Sequence, residues 1–153
     1  MKYIILEDIR SAYNVGAIFR TADAAGVAKV FLVGYTPAPV DRFGRPQAEI
    51  KKTSLSASET MLWEKVESMS ELIARLKSES VTVVAVELAD GSVPLKEFIE
   101  PENVAYIVGN EVDGVTKETL AQADVILELP MLGKKESLNV SVTAGIVLYH
   151  GIK

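Results

Sequence analysis

The sequence predicts an α/β domain: a mostly parallel sheet with helices on both faces. Three observations carry that prediction. Short apolar runs alternate with helical stretches along the chain. Several of the runs are continuous Val/Ile/Leu/Ala segments, the pattern of strands buried on both faces. Caps and turn residues separate them, as at Gly26, Asp90-Gly91 and Pro130.

In chain order, Tyr3–Leu6 reads as a short strand. Val15–Ala25 reads as a helix, with Asn14 at its N-cap and Gly26 just past its end. Lys29–Val33 is the next strand. Gly34–Lys52, with three prolines and "DRFGRPQ", reads as a long irregular segment. Ser70–Ser78 is amphipathic and helical, and Val81–Leu88 is a buried strand closed by the Asp90-Gly91 turn. Val104–Val108 is entirely apolar, Thr116–Ala123 is a short capped helix, and Val125–Leu129 is a strand stopped by Pro130. Leu138–His150 is a C-terminal helix with Val140, Ala144, Val147 and Leu148 on one face.

The 153 residues suit one domain, and 48% hydrophobic with 24% charged residues suits a packed core. No apolar run is long enough to span a membrane. The opening "MKYIILEDIR" lacks a signal-peptide cleavage site, and there is no cysteine. A cytoplasmic protein is the expectation, with no membrane and no metal. The net charge of −5 is unevenly spread. Residues 1–52 hold eight Lys/Arg against five Asp/Glu, and the remainder holds eight against sixteen. A positive N-terminal third is a hint of a polyanion-facing side.

Ligands of parallel sheets sit beyond the strand C-terminal ends. "GNEVDG", Gly109–Gly114, follows one buried strand, and its carboxylates would repel phosphate. No GxGxxG or GxxxxGK[ST] occurs, so dinucleotide and P-loop readings lose support. "PMLGKKESLNVSVTAG" follows another strand, with Ser137 and Asn139 both able to cap the helix after it. Taken singly, each segment reads better as an ordinary turn or cap.

Together, "NVGAIFRTADAAG", "IVGNEVDG" and "LPMLGKKESLNVSVTAGIVLYH" resemble the three motifs of the SpoU/TrmH family, in the family's order. "KKTSLSASETMLWE" is similar to single-domain members. The family comprises RNA ribose 2′-O-methyltransferases of the SPOUT superfamily. The resemblance implies a single SPOUT domain over residues 1–153, with a deep C-terminal trefoil knot and no separate RNA-binding domain. It implies S-adenosylmethionine held in the knot, a homodimer with composite active sites, and tRNA or rRNA as substrate. By motif position it implies catalytic roles for Asn14, Arg20, Glu111, Ser137 and Asn139. The donor pocket would use Leu88, Gly109, Leu129, Met131 and Leu138. Val112 stands where many members place glycine.

Two roles are open for Arg20. One is general base, which fits poorly with a guanidinium pKa above about 12. The other is a hydrogen-bond donor to the nucleotide phosphate or the developing alkoxide. On a helix, Gly16, Ala17 and Ala24 share its face and would leave a shallow floor for a nucleotide. Asp23, three residues on, could instead pair with Arg20 in a weak surface ion pair. RNA contact is also expected from Arg42, Phe43, Arg45, Lys51 and Lys52, by phosphate pairing and base stacking, with solubilising charge as the plainer reading. A catalytically silent RNA-binding dimer of the same fold and an unrelated α/β nucleotide-binding domain are the competing functions.

Overall fold

A computed structural model describes residues 1–153. Seven strands form one sheet: β1 (Lys2–Glu7), β2 (Lys29–Val33), β3 (Trp63–Val66), β4 (Thr82–Val86), β5 (Val93–Pro94), β6 (Val104–Val108) and β7 (Val125–Glu128). Their spatial order is β3-β2-β1-β6-β4-β7-β5, and every pairing is parallel. All seven C-terminal ends therefore open on one side of the domain.

Six α-helices cover the sheet: α1 (Ala12–Ala24), α2 (Ala48–Ser54), α3 (Ala57–Thr60), α4 (Met69–Ser78), α5 (Lys117–Gln122) and α6 (Val140–His150). Period-two alternation sorts each strand's side chains between two cores. Ile4, Leu6, Val104, Tyr106 and Val108 pack with Val15, Ile18 and Phe19 of α1 and Val147 and Leu148 of α6. Ile5, Ala105 and Ile107 pack on the other face with Leu72, Ile73 and Leu76 of α4. This is why the central strands read as unbroken apolar runs. Each fully buried Ile or Leu contributes about 1.5–3 kcal/mol.

The strand and helix reading holds, with corrections at the edges. Helix α1 starts earlier than Val15, because Ser11 is its N-cap and accepts from Asn14 N at 3.1 Å. Asn14 lies inside the first turn, which frees its side chain for another use. Gly26 sits past the helix end at φ +70°, as expected. The segment read as irregular to Lys52 already contains α2, so Lys51 and Lys52 are helical. Strand β3 has no counterpart in the sequence reading, because "WEKV" is an edge strand with no continuous apolar run. Strand β5 has only two residues. Of the two candidate caps of the last helix, Asn139 is the N-cap and accepts from Ser141 N at 2.9 Å.

The far end of α6 is tied to the opposite side of the sheet. Lys2 Nζ donates to Leu148 O at 2.8 Å and pairs with Glu100 at 2.9 Å, while His150 Nε2 lies 2.8 Å from Phe98 O. With its C-terminus anchored there, α6 presents its N-terminus, and Asn139, to the side where the strands end.

Candidate active site at the strand C-terminal ends

A cavity of about 520 Å³ opens beyond β4, β6 and β7. Leu88, Gly109, Leu129, Met131 and Leu138 all line it, together with Ser137 and Glu111. These residues come from three strand ends and the approach to α6. Only the β6-β4-β7 neighbourhood brings them together. Its volume is that of a small-molecule site. The wall is apolar in part, and its charged members are Glu87, Glu111, Asp113 and Glu136 against Lys117 alone. Such a lining favours a cationic ligand and repels phosphate.

Gly109 is required by the loop itself. A Cβ there would stand 2.3 Å from Gly114 C and 2.4 Å from Val115 N. The glycine thus lets the backbone of the 109–115 loop fold back on itself at the cavity wall, rather than leaving space for a ligand. Glu87, which the sequence reading did not single out, holds that loop from β4. Its carboxylate accepts from Val115 N at 3.0 Å and from Leu88 N at 3.0 Å. A glutamate ending a buried strand is the signal that could have found it.

Beside the cavity, three of the motif residues meet. Glu111 accepts from Arg10 N and Ser11 N at 3.1 Å each, and from Asn14 Nδ2 at 3.3 Å. Asn139 Nδ2 donates to Asn14 Oδ1 at 3.4 Å. The Glu111 carboxylate therefore sits on the N–H groups of the α1 N-cap, Ser11, and of Arg10 just before it, at the helix end where a negative charge is favoured. Partial burial pushes its pKa up, but the hydrogen bonds from Arg10, Ser11 and Asn14 outweigh that and hold it below the usual carboxylate range. A carboxylate so occupied is built to hold a helix and an amide in place, and is a weak proton acceptor.

Arg20 is not part of this group. It is exposed and lines a separate cavity of about 520 Å³ with Tyr13, Ala17, Thr21, Ala24, Lys52 and Tyr149. The expected small-residue floor is half right. Ala17 and Ala24 do flank Arg20, but Gly16 is buried under α2. A Cβ on Gly16 would lie 2.8 Å from Ile50 O, so this glycine allows two helices to touch. The ion pair with Asp23 does not form; the salt bridges of the chain involve neither residue.

The expected RNA-contact residues divide. Arg42 and Arg45 lie 4.7 and 4.9 Å from the Phe43 ring centre, and Arg45 pairs with Asp41 at 2.8 Å. Lys51 pairs with Glu59 at 3.2 Å. Lys52 lies beside Arg20. No group of side chains has the composition of a metal site, and no helix is long and apolar enough to cross a membrane.

Comparison with known proteins converges on one group. Residues 1–149 match the SpoU rRNA Methylase family. The chain is 34% identical over 145 residues to a 23S rRNA (guanosine-2′-O-)-methyltransferase, RlmB, of Neisseria meningitidis serogroup B, covering 95% of this chain and 55% of that protein. It is 31% identical over 149 residues to the tRNA (guanosine(18)-2′-O)-methyltransferase of Escherichia coli K12, covering 95% and 60%. An AdoMet-bound rRNA methyltransferase from Sinorhizobium meliloti superposes with a TM-score of 0.86 at 30% identity, covering 98% of this chain and 55% of that one. The chain thus spans little more than half the length of the curated relatives it matches.

Proposed function

The chain belongs to the SpoU rRNA methylase family, and from that premise we propose that it methylates a ribose 2′-hydroxyl of tRNA or rRNA with S-adenosylmethionine as donor. One observation carries the reading. Leu88, Gly109, Leu129, Met131 and Leu138, far apart in sequence, line one acid-rimmed cavity, with Asn14, Glu111 and Asn139 hydrogen-bonded at its edge. A partly apolar cavity with carboxylates on its rim fits a ligand bearing a sulfonium and an ammonium group.

When bound, the donor supplies an electrophilic methyl group. The protein's task is to bring a weak oxygen nucleophile into line and to stabilise the charge that develops on it. Leu88, Leu129, Met131 and Leu138 would exclude water around the donor. Glu111 and Asn139 orient Asn14, so Glu111 is assigned a positioning role. Ser137, exposed on the cavity rim and outside the hydrogen-bonded group, would contact the incoming nucleotide. Arg20 would donate to the nucleotide phosphate or the alkoxide.

Arg20 faces a different cavity from the other motif residues, which supports a homodimer in which it serves the partner's site. The surface around it supports the same reading. Helix α6 is apolar on nearly every side: Val147 and Leu148 are buried in this chain, while Val142 and Tyr149 are 49% and 48% exposed. Tyr13 of α1, at 58% exposed, lines the same cavity as Tyr149. A helix apolar all round needs cover on both faces. The path from β7 through residues 129–139 to α6 is where the trefoil knot implied by the family would lie.

Incubation with methyl-labelled S-adenosylmethionine and tRNA or rRNA is expected to yield 2′-O-methylnucleosides on nuclease digestion and mass spectrometry. Label on a base instead would overturn the ribose assignment. Donor binding by calorimetry with no transfer to any RNA would favour the silent dimer. Light scattering at micromolar concentration is expected to give about twice the chain mass of 16.6 kDa, and a monomer would count against the composite site.

A further inference from the structure

Tyr35, just past β2, is an exposed aromatic whose backbone and hydroxyl are both held by hydrogen bonds. Its side chain is 57% accessible. Its N–H donates to Asp8 Oδ1 at 3.2 Å. Lys65 Nζ donates to the carbonyls on both sides of it, Gly34 O at 2.6 Å and Thr36 O. Thr36, only 1% exposed, accepts from Ile9 N at 3.0 Å and reaches Leu6 O and Val33 O through its hydroxyl. The phenol is held as well. Asn110 Nδ2 donates to the Tyr35 hydroxyl at 2.8 Å, and the same Asn110 lines the proposed donor cavity. The hydroxyl proton remains free to donate.

Exposed tyrosines are ordinary, but their side chains usually move. Here the backbone is fixed on both flanks and the ring is fixed at its tip, one residue from the cavity wall. A ring fixed at both ends with its face in solvent loses little entropy when something flat is laid on it. The charges nearby are mixed: Asp8 and Lys65 hold the backbone of Tyr35, while Arg10, next to the Ile9 that Thr36 holds, is exposed and makes no ion pair. A flat partner carrying a phosphate that Arg10 can meet describes a nucleotide.

We propose that Tyr35 is a stacking platform for an unpaired RNA base next to the ribose presented to the cavity, an inference that rests on the RNA methyltransferase reading above. Asn110 couples the platform to the 109–115 loop, so the base and the donor cavity share one rigid frame.

The test compares wild type, Tyr35→Leu and Tyr35→Phe, measuring affinity for unfractionated tRNA and for total rRNA over a salt series. Donor affinity and melting temperature are measured alongside. Stacking on an aromatic ring is lost in the leucine variant, whose RNA dissociation constants should rise about 5- to 150-fold. The slope of log affinity against log salt should be unchanged, since no phosphate contact is removed. Tyr35→Phe keeps the ring face and should retain most of the affinity. An indifferent Tyr35→Leu overturns the inference while leaving the methyltransferase reading intact. So does a Tyr35→Phe variant whose RNA affinity, donor affinity and melting fall as far as those of Tyr35→Leu, because the hydroxyl bond to Asn110 that both lack, and not the ring face, would then be what matters. A wild-type protein that binds donor but no RNA overturns both.

Discussion

Arg20→Ala is expected to lower the rate of methyl transfer by about 10²–10³ while leaving donor affinity, fold and dimer unchanged. The physical basis is location. Arg20 is exposed, has no acidic partner, and sits among Ala17, Ala24 and Lys52 in a cavity apart from the proposed donor site. Its removal takes nothing from the core or from the Glu111–Asn14–Asn139 group. Arg20→Lys separates the two forms the role can take. Lysine keeps the charge but not the planar fork, so restored activity would mean that a point charge suffices. An alanine variant with near-normal turnover would reduce Arg20 to an ordinary surface cation.

Gly109→Val is expected to abolish donor binding, measured by calorimetry, and to lower the melting temperature. The first added carbon would stand 2.3 Å from Gly114 C, so the 109–115 loop must move as a body. Gly114 cannot absorb the movement easily: it sits at φ +71°, and Glu87 Oε2 occupies the space a side chain would use. Overpacking of this kind costs about 1–3 kcal/mol. Normal donor affinity in the variant would displace the proposed site from this cavity. The two variants also test the composite site jointly. Neither is active alone, but a reassorted equal mixture contains dimers with one intact Arg20 facing one intact cavity. It should recover about a quarter of wild-type activity.

The central strands were legible because burial on both faces leaves its mark in consecutive residues, as in "VAYIV" of β6 and "TVVAV" of β4. Elements at the sheet edge were not. In "WEKV", Glu64 and Lys65 face partners that no local pattern announces, Lys29 and Arg75 for one and the Gly34 and Thr36 carbonyls for the other. Asn14 misled for a related reason. It is a good N-cap by type, yet Ser11 takes that place and Asn14 turns to Glu111, 97 residues away. Gly16 and Arg20 lie four residues apart, and helical geometry alone made them neighbours on one open face. Helix α2 covers the glycine and leaves the arginine exposed.

By itself the sequence determined the parallel α/β architecture and the three motif segments, and its resemblance to the SpoU/TrmH family implied the residues that line the proposed donor cavity. The architecture is written in local periodicity and the motifs in short contiguous patterns. The tertiary structure alone decided which strand ends are neighbours, since β4, β6 and β7 are joined by ladder hydrogen bonds across long crossovers. It separated Arg20 from the other motif residues. It also fixed Tyr35 from four directions, through Asp8, Thr36, Lys65 and Asn110. Contacts of that kind depend on groups 27 to 75 residues apart meeting at hydrogen-bond distance, and only the packed sheet sets those distances.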